Sequence, residues 1–310
     1  MATALTTTIE SAAKACRLPF TDQIYKRGYL GQELWRNKIV TGGGKYIYLP
    51  VNLSATGLVG TRSPGEAISY QTPDTIKSPV LDWRYYWAAG SIPREYIKQA
   101  SGRNQVVDLV KNEIQRQGRE LRQHIWTHVY TGTGDSQITG LVDICSTSNT
   151  YAGLNRSTYT NWQGNVSTET SVEDADMNTA IAACSQDDER PNLIVTNTAL
   201  WLEMQRVWAL PYMHYTDTKN ANYGFTGLSF SDIPVIHDDL CPSTYIAILN
   251  TKYLHWVVPD ANDPFEVETF VDESDVPGVK IRIAPMLQLA CTWPKYQYLF
   301  TSATSIVKAS

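Results

Sequence analysis

His124 and His128 stand four residues apart, the spacing at which one helical turn brings two imidazoles toward a single metal ion. Position 125 is Ile, where a zinc hydrolase of the HExxH type carries its glutamate base. The pair therefore reads as polar or half-buried helix histidines, and no metal site is expected. His214, His237 and His255 are scattered, and no GxSxG elbow supplies a nucleophile for any of them. A cysteine-dependent hydrolase would have to use Cys145 or Cys241 with a distant histidine, and no local signature supports it. The five cysteines, Cys16, Cys145, Cys184, Cys241 and Cys291, contain no CxxC pair, so neither a zinc knuckle nor a disulfide framework is suggested.

Phosphate and cation motifs fail in the same residue-by-residue way. Gly44-Lys45 resembles the end of a phosphate loop, but Ile39 replaces its first glycine and Tyr46 its magnesium-binding hydroxyl. Gly132-Thr133-Gly134 closes a helix instead of opening one, and Gln137 stands where a dinucleotide fingerprint needs its third glycine. The acidic run from Asp260 to Asp275 places Pro264 and Phe265 where a calcium loop needs a ligand and its glycine, so it reads as a solvated strand face. No cofactor and no catalytic residue are expected. What remains is an aromatic complement of 9 Trp, 18 Tyr and 6 Phe, dominated by side chains with an apolar body and a polar tip that serve interfaces as well as cores.

The elements that position these groups follow from periodicity. From Asn104 to Tyr130, Val107, Val110, Ile114, Leu121, Ile125 and Val129 recur at helical spacing, with Gly118 inside the one gap of seven. This predicts one helix of about 40 Å, with Gly132 as its C-cap glycine. Such a rod exceeds what a small domain requires. Lys45–Val51 alternates as a strand, and Ile76–Ala89 forms a second strand-like stretch carrying Trp83, Tyr85, Tyr86 and Trp87. The Gly/Pro-rich residues between them are too many for a tight turn. Residues 41–89 therefore read as a long hairpin with a large tip, an element that is marginal by itself and needs something to lie against. Downstream, Asp174–Cys184 and Thr198–Val207 read as helices, and Leu193–Thr196, Ile233–Ile236 and Tyr245–Leu249 as strands. Phe265–Phe270 and Val279–Ile283 alternate as a final pair.

The chain of 310 residues is 43% hydrophobic and 18% charged, the profile of an ordered globular protein of about two domains or of one core with large excursions. No run of 18 apolar residues and no secretory leader is seen, so a soluble, non-exported chain is expected. Residues 1–131 hold 17 Lys/Arg against 10 Asp/Glu and residues 132–310 hold 9 against 21, giving a net charge of −5. That asymmetry suits self-complementary packing or a basic face toward a polyanion as well as it suits two ordinary solvated surfaces. No basic cluster lies on one helix, which argues against sequence-specific nucleic-acid binding.

The order Ala-Ala-Gly-Ser-Ile-Pro-Arg-Glu-Tyr-Ile (88–97), long helix, Gly132-Thr133-Gly134-Asp135, Ile138-Thr139-Gly140-Leu141, followed by 193–201 and Ile233–Ile236, resembles the major capsid proteins of tailed bacteriophages. The resemblance implies a Hong Kong 97-like fold of the α+β class. Its parts would be an N-terminal arm (1–40), an extended loop (41–89), a peripheral domain (90–135 and 261–297) on a spine helix (104–131), and an axial domain (136–260 and 298–310). It further implies a virion structural protein, found in the host cytoplasm during assembly, whose copies form pentamers and hexamers of an icosahedral head. Portal, scaffolding or decoration proteins would be partners, with packaged double-stranded DNA held by non-specific contact and no membrane involved. A long N-terminal extension of the kind some members use as a built-in scaffold is not expected, so assembly would depend on a separate scaffold or on none. Lys45 and Lys77 lie away from the loop tip, so no covalent link between copies is expected. Arg62 and Glu66 at the tip, with Trp83 and Trp87 on the return, are the candidate subunit-interface residues. The nearest alternative is an encapsulin-like nanocompartment shell of the same fold.

Overall fold

The computed structural model describes residues 28–52, 61, 64, 76–99, 103–186, 188–208, 228–259, 265–272 and 278–308. Its first sheet is organised by the 14-residue strand Gly278–Cys291. Phe265–Asp272 runs antiparallel to it, from Phe265 opposite Pro285 to Asp272 opposite Gly278. On its other edge lie Ala88–Pro93, then Arg84–Tyr85, then Leu254–Val258, whose far side pairs in parallel with Ile39–Val40. Val279, Ile281 and Ile283 point inward with a period of two, whereas Leu287, Gln288, Leu289, Ala290 and Cys291 are all buried. The strand thus leaves a half-solvated surface and enters a region covered on both faces.

A second six-stranded sheet has the order Asn165–Ser167, Tyr298–Phe300, Ile246–Leu249, Leu193–Thr196, Ile233–His237, Leu228–Phe230. Leu193–Thr196 and Ile246–Leu249 are buried at every position. The pleat divides their side chains. Ile194, Ile246 and Ile248 pack under the helices Asp174–Cys184 and Thr198–Trp208, with Met177, Ala180, Leu200, Met204 and Trp208. Leu193, Val195, Ala247 and Leu249 face the large core shared with the long helix.

That helix spans Arg103–Thr131, 29 residues and about 44 Å at 1.5 Å per residue. Val110, Ile114, Leu121, Ile125, Trp126, Val129 and Tyr130 form its buried stripe, and Trp126 meets Trp256 edge-on at 6.1 Å. Its end corrects the expected C-cap. Gly132 is absent from the residues with positive φ; what demands glycine there is proximity. A Cβ on Gly132 would lie 2.1 Å from Ile138 O, and one on Gly140 2.4 Å from Gly132 N. The chain folds back so closely that Gly140 N donates to Gly132 O at 2.9 Å.

Two further expectations shift. Leu254–Val258, placed with the second domain by sequence, pairs with the long strand of the first sheet, so the chain changes sheet before residue 260. The hairpin exists as Tyr46–Tyr48 with Val80–Asp82 and Val51–Asn52 with Ile76–Lys77. Its root does not stand free, because Ile47, Leu49, Val51 and Leu81 are buried in the chain's own core. Its return also leaves the hairpin earlier than residue 89, since Arg84–Tyr85 and Ala88–Pro93 pair with the long strand. Among the described residues no helix is long and apolar enough to cross a membrane.

Candidate functional site

The strongest surface feature lies where the hairpin's return crosses the long helix. Val80–Asp82 is held by Tyr46–Tyr48, whereas Arg84–Tyr85 is held by Gly278–Cys291. The chain therefore changes partners at Trp83, and strict alternation breaks there. Trp83 turns inward (5% exposed) and its indole N–H donates to Gly44 O at 3.0 Å. Tyr85 and Trp87, two residues apart on one face, turn outward at 69% and 72% exposed, with Tyr86 buried between them.

Three polar anchors fix this segment. The Arg84 guanidinium donates to Gly134 O and, at 3.1 Å, to Gln137 O, tying the return to the loop after the helix. Ile138 N–H donates to the Tyr86 phenol oxygen at 3.1 Å. The phenol hydrogen then points to His128 Nδ1, 2.9 Å away, which leaves the proton of a neutral His128 on Nε2. Finally, Gln288 Oε1 accepts from Thr139 N–H at 3.0 Å while its amide nitrogen donates to Asp82 O at 3.0 Å. Burial holds the Tyr86 phenol above its ordinary pKa, against the Ile138 hydrogen bond and the Arg84 charge. Burial, then the neighbouring His124, lowers that of His128.

Beside these anchors a groove of about 610 Å³ opens between the return and the helix, walled by Tyr85 and Trp87 on one side and by Glu120 and His124 on the other. Gln117 lines it from the helix. The strand passes so close at Gly90 that a Cβ there would lie 1.8 Å from Gln117 Nε2. The aromatic display continues on the hairpin root, where Tyr46 and Tyr48 turn outward while Ile47 turns in. Tyr96 beyond the return is also exposed.

The chemistry weighed from sequence fares as follows. His124 and His128 meet edge-on with ring centroids 4.3 Å apart, but His128 Nδ1 is taken by Tyr86. Among the described residues no trio of His, Cys, Asp or Glu is arranged around a metal position. Cys145 and Cys241 are buried, and burial raises both thiol pKa values. Cys184 and Cys291 are pushed up to about 12 by the same cause. Raised thiol pKa values disfavour the thiolate that a cysteine nucleophile uses, and Cys16 lies outside the described residues. Of the four candidate interface residues, Arg62 and Glu66 lie outside the described residues. Trp83 belongs to the chain's own core, a correction that follows from the change of partner strand at that position. Trp87 is presented outward. Tyr85 and Gln117 were not singled out by sequence; Trp83, Tyr85 and Trp87 at i, i+2, i+4 suggest one shared face, and only the break at Trp83 separates them.

Comparison with known proteins gives a result from structure alone. No protein-family model and no curated protein matches the sequence. Among solved structures, the capsid asymmetric unit of cyanophage A-1(L) superposes with a TM-score of 0.67 at 20% identity, covering 88% of this chain and 91% of that one. The capsid of a native GTA particle gives 0.63 at 12% identity, over 87% and 90%. The procapsid of satellite phage P4, which includes the size determination (Sid) protein, gives 0.55 at 10% identity, over 94% and 91%.

Proposed function

We propose, from the premise that this chain has the Hong Kong 97-like fold of phage capsid subunits, that it is a major capsid protein whose copies tile an icosahedral head. The observation that carries the reading is the outward aromatic display of Tyr48, Tyr85 and Trp87 on the hairpin root and its return. Large apolar side chains in such density on one region mark a surface that another molecule covers. Copies of the same chain are the natural cover, because closed symmetric assemblies repeat one such contact many times and each repeat need contribute only a few kcal/mol. The role is structural, with pentamers and hexamers of the chain as building units. Portal and scaffolding or decoration proteins are proposed partners, packaged double-stranded DNA is the content, and the virion is the location.

Negative-stain microscopy of the expressed chain tests this, with closed shells expected. Deleting residues 55–73 should leave a folded, soluble subunit that forms none. Normal particles from that deletion would refute the role given to the loop, and a strictly monomeric full chain at high concentration would refute the capsid reading. Particles from producing cells should carry the ultraviolet absorbance of nucleic acid, whereas protein contents would point to an encapsulin-like nanocompartment.

A further inference from the structure

The groove beside the long helix has a chemistry of its own. Gln117 is 1% exposed. Its amide nitrogen donates to Glu113 Oε1 at 3.0 Å, but its carbonyl oxygen is buried without a hydrogen-bond partner. An orphaned buried acceptor is costly, and such groups are usually matched by a donor. At the same site, two carboxylates share one guanidinium: Arg116 pairs with Glu113 Oε1 at 2.6 Å and with Glu120 Oε1 at 2.9 Å. The triplet therefore carries one negative charge in excess. The opposite wall consists of the exposed rings of Tyr85 and Trp87, whose faces attract cations. His124, His128 and the phenols of Tyr85 and Tyr86 are the other titratable groups of its lining. Burial, then the neighbouring His124, lowers the pKa of His128.

An unsatisfied acceptor, a surplus carboxylate and two open π faces are complementary to a flat cation with several donors. We propose that the groove receives an arginine side chain presented by a second copy of the chain, its guanidinium stacked on Trp87 and Tyr85 and donating to Gln117 Oε1. This deepens the capsid reading and rests on it: the partner is taken to be a second copy because shell assembly brings copies together at high effective concentration. The charge complementarity at the groove selects the side chain.

Light scattering of the full-length chain against protein concentration tests the inference, using substitutions at exposed positions that leave the core untouched. Trp87→Leu keeps an apolar surface but removes the π face, and should raise the concentration needed for association about tenfold. Trp87→Phe should raise it less. Glu120→Gln should flatten the dependence of association on sodium chloride. Methylguanidinium chloride should inhibit wild-type association more strongly than sodium chloride at equal ionic strength. Trp87→Leu behaving like Trp87→Phe, an unchanged salt dependence in Glu120→Gln, or methylguanidinium acting no differently from sodium would each overturn the proposal. Shells that form normally in every variant would do so while leaving the capsid reading intact, and a wild-type chain that never associates would overturn both.

Discussion

Gln288 is fully buried toward the end of the strand Gly278–Cys291, and its replacement by Met is the sharpest test of how the hairpin is rooted. The side chain makes three hydrogen bonds: it accepts from Thr139 N–H at 3.0 Å and from Leu289 N–H at 3.1 Å, and it donates to Asp82 O at 3.0 Å. Methionine nearly conserves the volume, so packing contributes little, and the loss is polar. Three bonds at about 1 kcal/mol each give about 3 kcal/mol, rising toward about 5 where the buried Thr139 N–H is left without an acceptor. Urea unfolding of the unassembled chain should show the midpoint falling by about 1 M at an m-value near 3 kcal/mol/M, with m unchanged. Gln288→Glu supplies a control whose sign can be worked out. An ionised carboxylate there would accept both N–H groups but face Asp82 O acceptor to acceptor, so the fold favours its protonated form. The glutamate pKa is raised in the folded state, and the variant's stability relative to wild type should rise as pH falls toward 5. A Met variant within about 0.5 kcal/mol of wild type, or a Glu variant that loses stability relative to wild type on acidification through that range, would refute the assignment of Gln288 as the pin between hairpin, loop and sheet.

Gly140→Ala should destabilise by about 3 kcal/mol, the upper range of overpacking, because its Cβ would lie 2.4 Å from Gly132 N and 2.5 Å from His128 O; calorimetric unfolding measures it, and an unchanged Tm would contradict the close approach. Burial lowers the pKa of His128 and, despite its bond to Asn37 O, of His255. The fold disfavours protonation of both, so their contribution is fully present above the ordinary histidine pKa of about 6.5 and is lost as pH falls below it. The urea midpoint should drop between pH 7 and pH 5, less so in a His128→Asn, His255→Asn double variant, and a rising midpoint would contradict the sign.

Much of this architecture was legible because its signals are local. The long helix, the two short helices and the buried strands each carry a periodicity that a neighbouring element merely completes, as Leu121, Ile125 and Val129 do against the sheet. Three readings failed where the deciding contact is remote in sequence. Trp83 shares its spacing with Tyr85 and Trp87, and its inward turn depends on Tyr46–Tyr48 and Gly278–Cys291 competing for adjacent residues of one strand. Gly132 has the position of a capping glycine, but the reason for it is Ile138 and Gly140 folding back across the helix end. The hairpin root looked unsupported because the residues that cover it, Ala152 among them, lie some 70 positions away; Val80 N–H donates to Ala152 O at 2.8 Å. The groove was hidden for a similar reason. Nothing about Gln117 in sequence distinguishes it from the other polar residues of an amphipathic helix, and only the passage of Gly90 over it makes it a buried acceptor.

These remote contacts also bear on how a shell would gain strength from weak individual contacts. Ordering a mobile loop and its side chains on association offsets much of what the contact gains. Here the return strand is already fixed before any partner arrives, through Trp83 to Gly44, Arg84 to Gly134 and Gln137, Tyr86 to His128 and Ile138, and Gln288 to Asp82 and Thr139. Tyr85 and Trp87 are carried on that braced segment, so little backbone entropy remains to be lost when they are covered. Loosening any one brace should therefore weaken association by more than the local stability change alone accounts for, even though none of the bracing side chains needs to touch a neighbour. Gln288→Met separates the two effects. If the brace acts only on folding, association of the folded fraction should match wild type at equal concentration; if it preorganises the surface, that fraction should need a higher concentration to associate.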